Sequence, residues 1–374
     1  MSDYSKEVEK EWEKQLSDVN KVNIMILGGT GVGKSALVNY IFGENIAKEG
    51  SGKPITKGMD RYEVKDTPIV LFDTEGYEIS ERGINSNNFR NDILPKIDEY
   101  QKKELKEQIH LAWYCISISN NRITKFDIDN IKIIQGKLQN RMAIVFTQCD
   151  NDEEDENKNG VKAEEFKKIL SNEGISLDIF ETSTNKEFNL TLDFEKLMIW
   201  SSDILPNESL RESFIASQMY SLELKSKEAL KCVKERSLLA SGIGASPIPY
   251  SDTMALTAIQ VELSIKIAKI FGISSMGDNV THLLKAQIVS MIGKTLVTQL
   301  LKFIPVLGSA ANALVAGALT YGFGVGMLTV YEKVCKEYLE SDKEPDWIAL
   351  FSNDIFMNTI KEAMKTYYNK NKGV

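Results

Sequence analysis

Histidine is nearly absent: His110 and His282 are the only two in 374 residues. A histidine-based catalytic centre or a histidine-rich metal site is therefore not expected, while carboxylate metal ligands stay open. Cysteine is scarce too. Cys115, Cys149, Cys232 and Cys335 lie scattered with no CxxC pair, which reads as reduced thiols in a cytosolic protein. Positive charge is in deficit, with 45 Lys and Arg against 53 Asp and Glu and a net charge of −8. That argues against a general nucleic-acid binder, because neutralising phosphates needs a basic surface. The opening MSDYSKEVEKEWEK has no apolar core, so no secretory signal is expected. With 8 Pro, 24 Gly and 43% hydrophobic residues, whole-chain disorder, collagen and low complexity are excluded.

The length suggests two to three domains at about 150 residues each. Over residues 1–20, Tyr4, Val8, Trp12 and Leu16 recur every four residues and form one apolar stripe of a helix. This stripe suits a helix docked on another domain. A membrane-surface helix is the alternative, although its polar face is as acidic as basic.

From Val22 the pattern changes to short apolar runs alternating with helical stretches. VNIMIL (22–27), RYEVKDTPIVLF (61–72, two strands about a turn at Asp66–Pro68), LAWYCISIS (111–119), MAIVFT (142–147) and DIFET (178–182) predict strands. Helices are expected at 35–42, 126–139 and near 191–200. The alternation predicts an α/β domain with a mostly parallel sheet, ending near Pro206. Beyond it the pattern is helical at 208–236, broken by SGIGASPIPYSD (241–252), then helical across 253–300 and again at 341–371.

Residues 28–35 read GGTGVGKS, which matches G-x-x-x-x-G-K-[ST] between a predicted strand and a predicted helix. Such a glycine loop directs backbone N–H groups at phosphate oxygens. Lys34 would reach the β and γ phosphates and the Ser35 hydroxyl would ligate Mg²⁺. The expected nucleotide cradle is Gly28, Thr30, Gly31, Val32, Gly33, Lys34, Ser35 and Ala36. Downstream, DTEG (73–76) closes the strand IVLFD, so Asp73 can hold Mg²⁺ through water and the Gly76 N–H can sense a γ-phosphate. Thr56, in the loop GKPITKGMD, could reach both Mg²⁺ and γ-phosphate. Lys34, Thr56 and Gly76 are the candidate catalytic groups; Ser35, Thr56 and Asp73 are the candidate metal ligands. Thr147, Gln148 and Asp150 close another strand in TQCD, where Asp150 could accept the N1 and N2 hydrogens of guanine.

In this order the motifs resemble the Ras-like P-loop GTPases, and specifically the Era/TrmE-like branch. GGTGVGKS, GKPITKG, DTEG, TQCD and ETSTN match that family's five nucleotide motifs over roughly residues 22–200. The resemblance implies GTP and GDP as ligands with Mg²⁺. It also implies a contact from the Thr184 N–H to guanine O6, supported by Thr182 and Ser183. Three departures bear on activity. Gln148 stands where the family has lysine, Tyr77 follows DTEG where Ras has its water-orienting glutamine, and Gly31 occupies the place of a potassium-binding asparagine. Intrinsic hydrolysis should therefore be slow. Acceleration would come from a partner, from dimerisation of two GTPase domains, or not at all.

Residues 303–331 run 29 positions without a charge, longer than the ~20 that cross a bilayer. The run is nonetheless rich in small residues and includes a G-x-x-x-G spacing at Gly322 and Gly326. Close-packed helices of a soluble bundle and a membrane-docking hairpin both fit, and the bundle is favoured because Leu, Ile and Phe are sparse. This half is similar to a helical domain fused to Era-like GTPases in bacteria, and the domain order is similar to that of the immunity-related GTPases.

The fold expected is thus an α/β P-loop NTPase (Ras-like G domain, mostly parallel sheet) at 21–205, with an N-terminal helix at 1–20 and an all-α domain at 206–374. The expected function is a cytoplasmic switch that hydrolyses GTP slowly, with a peripheral membrane location as the alternative. Its partners would be guanine nucleotide, a second copy through the G domain, and a membrane surface or protein at the helical domain; nucleic acid is not expected. A non-hydrolysing pseudo-GTPase scaffold and a dynamin-like membrane remodeller are the alternatives.

Overall fold

The computed structural model describes residues 20–43, 53–56, 59–63, 67–74, 89–120, 122–152, 160–185, 192–219, 221–244, 251–272, 309–341, 347–352 and 354–371, with isolated positions at 6–13 and 282–288. The chain divides into two compact units, one of Asn20–Ser221 and one of Met1–Val19 with Leu222–Val374.

The first unit is built on a seven-stranded sheet: β1 (Val22–Leu27), β2 (Lys53–Thr56), β3 (Met59–Glu63), β4 (Ile69–Thr74), β5 (Leu111–Ser117), β6 (Met142–Thr147) and β7 (Ile179–Glu181), in the order β2-β3-β4-β1-β5-β6-β7. β4, β1, β5, β6 and β7 run parallel, whereas β2 and β3 are antiparallel additions at one edge. Every residue of β1, β5 and β6 is buried, as a parallel sheet covered on both faces requires. Alternate side chains go to opposite faces. Met25, Leu27, Ala112, Tyr114, Ile144 and Phe146 join one core with side chains of α2 (Leu94–Gln101), α3 (Lys125–Leu138) and α4 (Val161–Asn172). On the other face Trp113 stacks on Phe42 of α1 (Lys34–Phe42) at 6.2 Å and donates to Ser201 of α5 (Phe194–Asp203) at 3.1 Å. Phe42 in turn meets Phe214 of α6 (Glu208–Ser217) edge-on.

Of the turn expected at Asp66–Pro68, Asp66 lies outside the described residues, while Thr67 and Pro68 lead into β4, whose register sets Asp60 opposite Asp73. Thr56 departs from expectation: it closes the edge strand β2 rather than lying in a loop. Four residues that include Pro54 show no apolar alternation, and proline is tolerated at a sheet edge because the missing N–H is not needed there. The helical pattern over 208–236 is carried by two helices, the first ending at Ser217 and the second starting at Leu222. Gln218 separates them, accepting from the Ser221 N–H at 2.7 Å and donating to the Ser221 carbonyl at 3.0 Å. The helices α2 and α4 were not read from the sequence.

The second unit is helical: α7 (Leu222–Gly244), α8 (Ser251–Ile270), α9 (Ser309–Ser341), α10 (Trp347–Ser352) and α11 (Asp354–Asn371). α9, which carries most of the uncharged run, packs against α7, α8 and α11. The segment Ala313–Glu337 is long and apolar enough to cross a membrane by length and composition, and 67% of its most apolar stretch is buried within the protein. Its glycines mark the crossings. A Cβ at Gly322 would lie 2.8 Å from the Ile360 carbonyl oxygen, and one at Gly326 would lie 2.7 Å from Ile360 Cγ1. The G-x-x-x-G spacing therefore faces α11. Lys285 is paired with Glu9 at 2.8 Å, which ties the N-terminal segment to this unit.

Candidate functional site

The parallel strands end along one edge of the sheet, and loops that leave such an edge are where ligands of open α/β sheets bind. At the end of β1 the chain turns through Gly28, Gly31 and Gly33 with φ of 136°, 76° and 90°, a left-handed course that L side chains rarely adopt. Gly33 sits at the N-cap of α1 and no side chain caps that terminus. The first N–H groups of α1 are thus left pointing into the loop, a favourable place for an anion. Thr147 at the end of β6 donates to the Val32 carbonyl at 2.5 Å and pins the loop to the sheet.

Lys34 is buried, and its ammonium donates to the carbonyls of Gly28 and Gly29, both at 3.0 Å. Burial pushes its pKa down, and the charge of Asp73 opposes that shift. Asp73, at the end of β4, has its pKa pushed up by burial and held back by Lys34. Its Oδ1 is buried without a hydrogen-bond partner among the described residues. Ser35, Lys34, Tyr62 and Asp73 line one small cleft. A hydroxyl beside an unsatisfied buried carboxylate oxygen is a donor set of the oxygen type that Mg²⁺ takes, so these residues fit that ion. Thr56 ends β2, and its side chain is not among those described. Gly76 and Tyr77 lie outside the described residues.

Gln148 adopts a left-handed conformation with φ 57°, and its side-chain oxygen accepts from the Ser117 hydroxyl at 2.6 Å. Its amide nitrogen lies 3.8 Å from where a Cβ on Gly33 would stand. Asp150 accepts from the Ser183 hydroxyl at 2.7 Å, and the same hydroxyl accepts from the Asn185 N–H at 3.0 Å. The Cys149 N–H donates to the Thr182 carbonyl at 3.1 Å. These bonds stitch TQCD to ETSTN, leaving Thr184 exposed beside Ser183. The phosphate-loop residues, Asp73, Gln148, Asp150 and Ser183 thus share one sheet edge.

The remaining reactive residues are structural. Burial raises the thiols of Cys115 and Cys149 to about 12, so neither is a nucleophile at neutral pH. His110 is buried, with Nδ1 accepting from the Asn23 N–H at 2.9 Å and Nε2 2.7 Å from the Leu105 carbonyl. Because the backbone N–H must donate, the proton sits on Nε2. His282 is exposed.

Sequence reasoning missed the loop after β5. Asn120, Arg122 and Thr124 face Gly29 and Thr30 across a cavity of about 420 Å³ that Asp127 also lines. The available signal was position: this loop leaves the sheet at the same edge as the others. Ser117, which holds Gln148, was missed for the same reason.

Residues 23–148 match the sequence model of a family described as 50S ribosome-binding GTPase. No curated protein matches the chain. Among solved structures, a probable GTP-binding protein engB is 15% identical with a TM-score of 0.34, covering 51% of this chain and 99% of its own. Toc33 from Arabidopsis thaliana in complex with Mg²⁺ and GMPPNP is 17% identical with a TM-score of 0.31, covering 50% and 80%. Both likenesses are remote. Together with the loop and strand geometry, the family match means that the chain carries a P-loop GTPase G domain.

Proposed function

We propose that the protein is a guanine-nucleotide switch of the Era/TrmE-like branch that binds GTP and GDP and hydrolyses GTP slowly. The observation that carries this is the convergence of Lys34 and Asp73 at one end of the sheet edge with Asp150, held by Ser183, at the other. In this reading the phosphates lie along Gly28–Ala36, with Lys34 leaving the loop carbonyls to meet the β and γ phosphates. Asp150 accepts from guanine N1 and N2, the Thr184 N–H meets O6, and Gln148 lies against the base. Ser35, Thr56 and Asp73 would hold Mg²⁺, which when bound neutralises charge on the β and γ phosphates. Thr56 and Gly76 would contact the γ-phosphate, so that two loops order with GTP and relax after hydrolysis. The helical unit would pass that change to a membrane or protein partner in the cytoplasm.

Base choice gives the test. A carboxylate at 150 accepts two hydrogens from guanine and has no donor to meet on adenine. Asp150→Asn should weaken GTP binding at least tenfold and improve binding of xanthosine triphosphate, which offers an acceptor where guanine offers an amine. Unchanged GTP affinity in that variant, measured by fluorescent-nucleotide titration, would overturn the reading.

A further inference from the structure

The solvent-facing side of α7 changes character near its end. Lys227, Lys231, Lys234 and Glu235 are exposed along it, and Leu238 and Leu239 come next, 66% and 47% exposed. Their spacing of three and four residues puts the leucines on the same helix face as those charges. Two large apolar side chains left in water on a charged face mark a contact surface. No charge occurs from Ser237 to Ser251. The folded chain sets this stretch against the other uncharged run, where Ser241 of α7, Gly317 of α9 and Tyr367 of α11 meet. The Ser241 and Tyr367 hydroxyls are 3.3 Å apart, and a Cβ at Gly317 would stand 2.9 Å from Tyr367 Oη. The Tyr321 ring lies 5.1 Å from that of Tyr367. On α11, Glu362 is the last acid of the sequence, and Lys365, Lys370 and Lys372 follow it. Lys365 pairs with Glu362 at 2.8 Å, and Lys370 is exposed.

We infer that the end of the helical unit formed by the last turns of α7 and α11 docks on an anionic lipid bilayer, with Leu238 and Leu239 entering it and Lys234 and Lys370 meeting its headgroups. This rests on the reading that the helical unit serves a membrane or protein partner, and it names that partner. Leucine, tyrosine and lysine are the side chains that suit a bilayer's hydrocarbon, its interface and its anionic surface in turn. A protein partner fits less well, because lysine is depleted at protein–protein contacts. The uncharged helix α9 does not itself face the lipid. A Cβ at Gly324 would stand 2.7 Å from Val233 of α7, and Gly322 and Gly326 are closed against α11. Docking at the end of the unit leaves that packing intact, whereas spanning by α9 would break it.

The test is co-flotation of the full-length chain with vesicles of phosphatidylcholine alone and of phosphatidylcholine and phosphatidylserine in equal parts. Each is run with GDP and with a non-hydrolysable GTP analogue, and GDP affinity is measured in parallel. Wild type should float with the mixed vesicles, and less with phosphatidylcholine alone or in high salt. Replacing both leucines, Leu238→Ser with Leu239→Ser, removes apolar burial and should weaken binding about tenfold or more. Lys234→Glu with Lys370→Glu should abolish the preference for phosphatidylserine. Both variants should keep wild-type GDP affinity, since every changed residue is exposed and lies outside the G domain. Absence of flotation with the mixed vesicles in both nucleotide states overturns the docking, as does flotation of the leucine variant at the wild-type level; either result leaves a protein partner for this surface. Equal flotation in the two nucleotide states supports the docking and overturns only the nucleotide control of the helical unit. Flotation by a chain that binds no guanine nucleotide likewise supports the docking and overturns the switch.

Discussion

The Ser117 hydroxyl, at the end of β5, donates to the side-chain oxygen of Gln148, after β6, at 2.6 Å. With that oxygen occupied, the amide nitrogen turns toward Gly33 of the phosphate loop. A lysine in this position would carry only donors and could not accept from a serine. Ser117 and Gln148 therefore work as a pair in which the residue on β5 orients the residue that departs from the family motif.

Removing the hydroxyl should loosen nucleotide binding without unfolding the domain. A neutral hydrogen bond is worth about 1 kcal/mol net, or about fivefold in affinity. Ser117→Ala should weaken GDP binding by about that factor in a fluorescent-nucleotide titration. Gln148→Ala should lose at least as much, and the double variant should lose little more than Gln148→Ala alone. Additive losses would show that the two residues act separately.

His110 gives the domain a pH dependence. Burial, the leading cause, lowers its pKa in the folded state, so the native imidazole is neutral while the unfolded one titrates near 6.5. The unfolded chain then binds the extra proton below that value. Stability from this site is present above pH ~6.5 and lost as pH falls below it. Urea midpoints at pH 7.5, 6.0 and 5.0 should drop, and His110→Asn, whose amide oxygen can still accept from Asn23, should flatten that portion of the curve. An equal drop in the variant would assign the effect to other groups.

The glycines of α9 test what the uncharged run touches. Gly326 approaches Ile360 and Phe356 of α11 so closely that a Cβ would stand 2.7 and 2.9 Å from their side chains. Overpacking of this kind costs about 1–3 kcal/mol. Gly326→Leu should lower the thermal midpoint of the helical unit by several degrees, and Gly326→Ala by less. No change on Gly326→Leu would mean that this face is open in solution.

Much of the site was legible because its residues are required locally. The glycine loop needs left-handed backbone, and a sequence shows that directly as Gly28, Gly31 and Gly33. Asp73, Thr147 and Asp150 could be placed because each ends an apolar run, and a parallel strand's end is also the edge where ligands bind. Thr56 was placed in the right segment and the wrong element, since a four-residue edge strand holding a proline has no periodicity to read. The break at Gln218 was hidden because no glycine or proline marks it, and the turn depends on its side chain bonding to the backbone of Ser221.

The sequence by itself determined the phosphate loop, most of the strands and the mostly parallel character of the sheet, because each follows from spacing within a few residues, from the apolar period or from the alternation of strands with helices. It also marked the second half as helical and apolar. Tertiary structure decided what those elements meet. Only the folded chain sets Arg122 across a cavity from Thr30, Ser117 against Gln148, and Gly322 and Gly326 against α11. Those pairs are separated by tens of residues along the chain, and no local pattern encodes which strand end or helix face a side chain will find after packing.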